Sequence, residues 1–154
     1  MRKALLVGLL VGLIDISDAI LFWAIYRGTA PMRIFHSVAS GWIGRERAFA
    51  GGYATALLGG ITHFFIAMVV VLVYYFASAK LDALVTHPVI SGLLYGFGVY
   101  LVMYFIVMPL SGGKAPAWAV TPILINNIGI HMLGIGLVTG LGVRWARVSN
   151  ASSE

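Results

Sequence analysis

The chain has 154 residues, 60% of them hydrophobic and 10% charged, with no cysteine. A soluble domain of this length cannot hide so much apolar surface, so the composition excludes a water-soluble globular protein, and the missing cysteines exclude disulfides, thiolate metal sites and thiol nucleophiles. The formal charge of +5 suggests nucleic acid only until the basic residues are located; nearly all flank apolar runs, where they set topology and meet lipid headgroups, so no nucleic-acid partner is expected.

The first apolar run covers residues 5–26, long enough to cross a hydrocarbon core of about 30 Å. It carries Asp15 and Asp18 one helical turn apart with no basic residue inside the run. Each such charge at a helix centre costs roughly 2.5–3.5 kcal/mol, so something must justify keeping them. Arg2 and Lys3 before the run, and Ser17-Asp18-Ala19 within it, have the look of a cleavable signal. The apolar run continues through Ile25, however, so a retained anchor is expected.

Residues 31–47 follow as an insertion between the first two spans. Starting at Pro31, they place Phe35, Val38, Ala39 and Trp42 on one helical face and Arg33, His36 and Ser40 off it. An amphipathic helix lying at the membrane surface and stopped near Gly41 or Gly44 is expected. The same segment could serve as a lid over the bundle mouth or as a docking site.

The second span, 52–77, lines up Ala56, Gly59, Gly60, His63 and Ala67 on one face; the third, 88–110, carries Gly92 and Gly96; the fourth, 118–143, aligns Asn127, His131 and Gly134. All four must be helices, because an open strand leaves its backbone unsatisfied in lipid. His36 and His87 are expected at the interface, and Pro109 and Pro122 at helix termini. Basic residues divide evenly: Arg2, Lys3, Lys80, Arg144 and Arg147 on the side of the termini, Arg27, Arg33, Arg45, Arg47 and Lys114 on the other. The short basic N-terminal tail then favours cytoplasmic termini.

The chain resembles itself. Gly8-Leu9-Leu10-Val11-Gly12 reads like Gly92-Leu93-Leu94-Tyr95-Gly96, Ala30-Pro31 like Ala115-Pro116, and His63 like His131. Two similar hairpins, related by an axis along the membrane normal, are expected. In lipid, helices associate through close backbone approach at small residues, so Gly8, Gly12, Gly59, Gly60, Gly92 and Gly96 mark helix-packing faces.

Counted along the spans at about 1.5 Å per residue, Asp15, His63 and His131 fall near one level close to the midplane, with Asp18, Asn126 and Asn127 about one turn away. Carboxylate and imidazole at close range can share a proton. The same groups could hold a divalent metal, although no metal-ligand spacing supports it, and His63 and His131 on different helices could be axial ligands of haem b. They could also simply hold the helices together. No nucleophile elbow, Walker loop or dinucleotide fingerprint is present, and no enzymatic activity is expected.

Ile34-Phe35-His36-Ser37-Val38-Ala39-Ser40-Gly41, Ala56-Leu57-Leu58-Gly59 with His63-Phe64, Val107-Met108-Pro109-Leu110-Ser111 and His131-Met132-Leu133 resemble the YagU-like family of small bacterial inner-membrane proteins. The resemblance implies a four-span inner-membrane protein with a weak connection to envelope and acid stress, and no established reaction or ligand. The expected molecule is therefore an all-α, single-domain transmembrane bundle of four helices in two hairpins plus an interfacial helix. Its expected site is Asp15, Asp18, His63, Asn127 and His131, binding or relaying protons or a cation. A bis-histidine cytochrome and a structural or assembly subunit are the alternatives, with a second copy or a membrane-complex subunit as partner beside the bilayer itself.

Overall fold

The computed structural model describes residues 1–111 and 120–151, with side chains described through Val148. Seven helices and no strand occur among the described residues: α1 Arg2–Arg27, α2 Pro31–Ile43, α3 Arg45–Ala50, α4 Gly52–Ala77, α5 Ala83–Thr86, α6 Pro88–Leu110 and α7 Pro122–Val148. Four of them, α1, α4, α6 and α7, are long and apolar enough to cross a membrane. The chain is thus an all-α, multispanning membrane protein.

Local sequence explains several helix ends. Gly28 closes α1 in the left-handed conformation, with its amide on the Ala24 carbonyl, a conformation that glycine adopts without a Cβ penalty. Pro31 and Pro88 each occupy a first turn, where no amide donor is needed. Pro122 does the same for α7, and the Thr121 hydroxyl accepts from the Leu124 amide as N-cap. The fourth span therefore starts four residues later than the hydropathy reading put it and runs on past Val143; Lys114, the Ala115-Pro116 pair and Trp118 lie outside the described residues.

Two spans depart from α geometry. α6 widens to a π-helix over Met103–Val107, and α7 over Ile130–Leu137. The first lies just before Pro109, which has no amide to give the Phe105 carbonyl and whose ring crowds it. The second contains Gly134 and Gly136, of which Gly136 is pressed against Gly92 and Gly96 of α6.

The helices pack in the order α4, α1, α7, α6. Gly8 and Gly12 of α1 stand against Met68, Phe64 and Ala67 of α4. On the other side Gly92 and Gly96 of α6 meet Gly136 and Gly140 of α7 so closely that a Cβ on Gly96 would collide with the His131 carbonyl. In the half of the bundle nearer the termini, Val7, Val11, Val71, Tyr74, Val99, Ile135 and Val143 form the apolar core. There Arg147 reaches from α7 to the C-terminus of α4, donating to Ser78 Oγ and the Tyr75 carbonyl and lying 4.1 Å from the Tyr75 ring centroid. A cation at the negative end of a helix also satisfies carbonyls that the helix leaves open.

The insertion differs from a simple surface helix. α2 ends at Gly44, the separate turn α3 follows, and α2 packs across the far half of α4. Phe35 presses its carbonyl on Gly59 and its ring on Gly60, while Trp42 donates its indole N–H to Thr62 Oγ1 at 3.0 Å. His36, expected at the interface on the polar face, is instead buried, with Nε2 donating to the Gly52 carbonyl at 2.9 Å. The correction has a physical cause: a helical wheel assumes lipid on one side and water on the other, whereas α2 has a second protein surface, α4, covering its histidine edge.

Candidate functional site

The polar layer expected near the midplane draws on four helices. On α1, Asp15 turns its carboxylate to His63 of α4, with Oδ2 3.9 Å from Nδ1. His63 Nε2 donates to the Gly12 carbonyl at 2.8 Å. A carbonyl can only accept, so Nε2 carries the hydrogen and, in the neutral ring, the Nδ1 lone pair faces Asp15. The contact with Gly12 is possible because that glycine lets α4 come close.

One turn toward the far side, Asp18 Oδ2 accepts from Asn126 Nδ2 of α7 at 2.8 Å. Asn127 enters the layer differently: it is buried, and its backbone carbonyl accepts from His131 Nδ1 at 2.8 Å. That bond fixes the hydrogen on Nδ1 and leaves Nε2 as the basic atom of neutral His131. Both imidazoles are thereby held in defined tautomers, each with one lone pair unused by the backbone.

Asp15 and His131 line the same partly open cavity, of about 40 Å³, with walls of Val11, Val70, Val99 and Ile135, bordered also by Ile66 and Met103. A cavity holds a water molecule once its probe-occupied volume exceeds about 10–15 Å³ and two or more polar groups face it. The space between Asp15 and His131 therefore suits one or two waters or a hydrated proton.

Two tyrosines of α6 complete the surroundings. The rings of Tyr100 and Tyr104 lie edge-on to His131, with centroids 5.7 and 5.8 Å away. The Tyr100 hydroxyl is fully buried without a hydrogen-bond partner among the described residues. Sequence reasoning left out Tyr100, Tyr104 and Asn126 as site residues. The signal for the tyrosines was present, since Gly96, Tyr100 and Tyr104 recur every four residues along one stripe. Gly136-x-x-x-Gly140 is likewise a small-residue motif that could have been read.

The two histidines do not fit axial ligation of a haem. His63 Nε2 is bound to the Gly12 carbonyl, and the space beside His131 is about 40 Å³, far below the size of a macrocycle. For a divalent metal, no three His, Asp or Glu side chains converge among the described residues, and the Asp15–His63 pair supplies two donors where a structural zinc site uses about four. In each half of the chain the second glycine of the GxxxG motif meets the histidine: Gly12 through its carbonyl to the His63 ring, Gly96 through its Cα face to the His131 carbonyl. No family model, characterised protein or solved structure matches the chain.

Proposed function

We propose that this protein binds protons at an intramembrane Asp–His site and relays them between Asp15, His63 and His131, without enzymatic chemistry. The observation that carries the proposal is the position of Asp15, 3.9 Å from the lone-pair nitrogen of His63 and on the wall of a cavity it shares with His131. A carboxylate and two imidazoles, each fixed in one tautomer, give three adjacent proton sites inside an apolar bundle. Asp18, Asn126 and Asn127 hold the frame of that relay. The paired Gly–His contacts support descent of both hairpins from one duplicated unit, with proton chemistry concentrated where the halves differ: the positions corresponding to Asp15 and Asp18 are Val99 and Val102.

In this proposal the protein is a YagU-like inner-membrane protein with cytoplasmic termini, and its protonation links it to envelope acid stress. The test is reconstitution in proteoliposomes with an internal pH dye. The wild type is expected to respond to an imposed pH step with proton movement that Asp15→Asn abolishes and Asp18→Asn diminishes. Equal responses from wild type and Asp15→Asn, or none from the wild type, would reject it.

A structural role is supported by a different observation: the His63–Gly12 and Asp18–Asn126 bonds tie α1 to α4 and to α7. Were that the whole function, Asp15→Asn would leave every proton measurement unchanged and the protein would co-purify with a stable partner.

A further inference from the structure

Between α2, α4 and the far end of α6 lies a second, larger crevice of about 530 Å³. Its floor is apolar, made by Val38, Ile66, Met103, Val107 and Met108, and its rim is polar, made by Ser37, Ser40, Ser111 and Arg45. The Trp42–Thr62 bond braces one wall. The flanking faces of α4 and α6 carry exposed Phe65, Val69, Val102 and Ile106, the surfaces that meet acyl chains in a bilayer.

Arg45 borders the crevice, and Arg33, outside its lining, shares the Phe49 ring with it. The guanidinium carbons of Arg45 and Arg33 each lie 4.9 Å from the centroid of the Phe49 ring, so the two cations are at most twice that distance apart. Among the described residues neither has a carboxylate within ion-pair distance. Glu46 is the one acidic residue of the α2–α3 segment, against Arg33, Arg45 and Arg47. Two like charges gathered on one aromatic ring, one of them at the mouth of the crevice, call for an anion attached to a hydrocarbon chain.

We propose that this crevice is a binding site for an anionic phospholipid, with one acyl chain along Ile66, Met103 and Val107 and the headgroup phosphate on Arg45 and Arg33. Arginine suits the phosphate because its planar fork donates two parallel hydrogen bonds. Headgroup selectivity comes from the missing acid: a zwitterionic lipid brings its own cation and gains less from the pair.

The test uses the purified full-length chain in mild detergent, titrated with phosphatidylglycerol, with phosphatidylcholine of the same chains, and with inorganic phosphate. Retention is read by native mass spectrometry and thermal stabilisation. Phosphatidylglycerol is expected to bind more tightly than phosphatidylcholine by on the order of tenfold or more, and inorganic phosphate to leave the melting temperature unchanged. In Arg33→Gln/Arg45→Gln the preference for phosphatidylglycerol is expected to vanish, and in Val107→Trp, which fills the floor, both lipids are expected to bind more weakly. Equal retention of the two lipids by the wild type overturns the proposal, and so does stabilisation by inorganic phosphate equal to that by phosphatidylglycerol. A double variant that keeps the preference also overturns it. The wild-type comparison decides the matter even where a variant fails to fold.

Discussion

Asp15 and Asp18 sit one turn apart but are held unequally. Asp18 has a short bond to Asn126, whereas Asp15 has a longer contact with His63 and an open cavity wall. Asn126→Ala is expected to cost about 1 kcal/mol, the usual size of an interhelical hydrogen bond in a membrane, measured by reversible unfolding in mixed detergent. His131, by contrast, is oriented by a main-chain carbonyl, so Asn127→Ala should leave its tautomer unchanged in nitrogen NMR. The glycines separate in the same way. A methyl on Gly96 has no place against the His131 carbonyl, and Gly96→Ala is expected to destabilise by about 1–3 kcal/mol. At Gly60 the nearest atoms to a new Cβ are those of the Phe35 ring at 3.6 Å. Gly60→Ala should therefore be neutral or stabilising by up to about 1 kcal/mol in the same unfolding measurement.

Helices reveal which parts of this molecule the sequence makes legible. α4 begins at Gly52 and α6 at Pro88, punctuation that coincides with the edge of an apolar run, so hydropathy and local chemistry agree there. At the start of the fourth span they disagree, and the Thr121-Pro122 cap outweighs hydropathy. The two π segments differ in legibility: Pro109 stands in the sequence and its ring crowds the turn before it, whereas the second segment arises from the fit of one helix to another, since Gly136 must sit against Gly92 and Gly96. They matter to the site, since His131 and Tyr104 both lie on widened turns. Depth along a helix was readable from residue counts, but azimuth was not. Pro109→Ala restores an amide donor and is expected to return Met103–Val107 to α geometry, seen as slower amide exchange in that stretch.

Across the whole molecule the halves are fastened differently. α6 and α7 meet backbone to backbone at four glycines, while α1 and α4 meet through glycine against the larger Met68 and Phe64. Between the pairs lie two spaces, the small cavity beside Asp15 and His131 and the larger crevice nearer the far side, and Ile66 and Met103 border both. That wall is one side chain thick, and methionine, with three rotatable bonds, yields readily to pressure from either side. Replacing it, as in Met103→Ala, is expected to join the two spaces and speed the proton response in stopped-flow measurements without lowering its extent.

If lipid fills the crevice and protons load the cavity, the shared wall links the two occupancies thermodynamically. A hydrocarbon chain pressing Ile66 and Met103 toward Asp15 would take room from the cavity that Asp15 and His131 share. Linkage is reciprocal: whatever factor the lipid applies to proton affinity, the proton must apply to lipid affinity. Lipid affinity should then depend on pH through the groups that share the cavity, Asp15 with His63 and His131, and Asp15→Asn should weaken that dependence while leaving the binding itself in place.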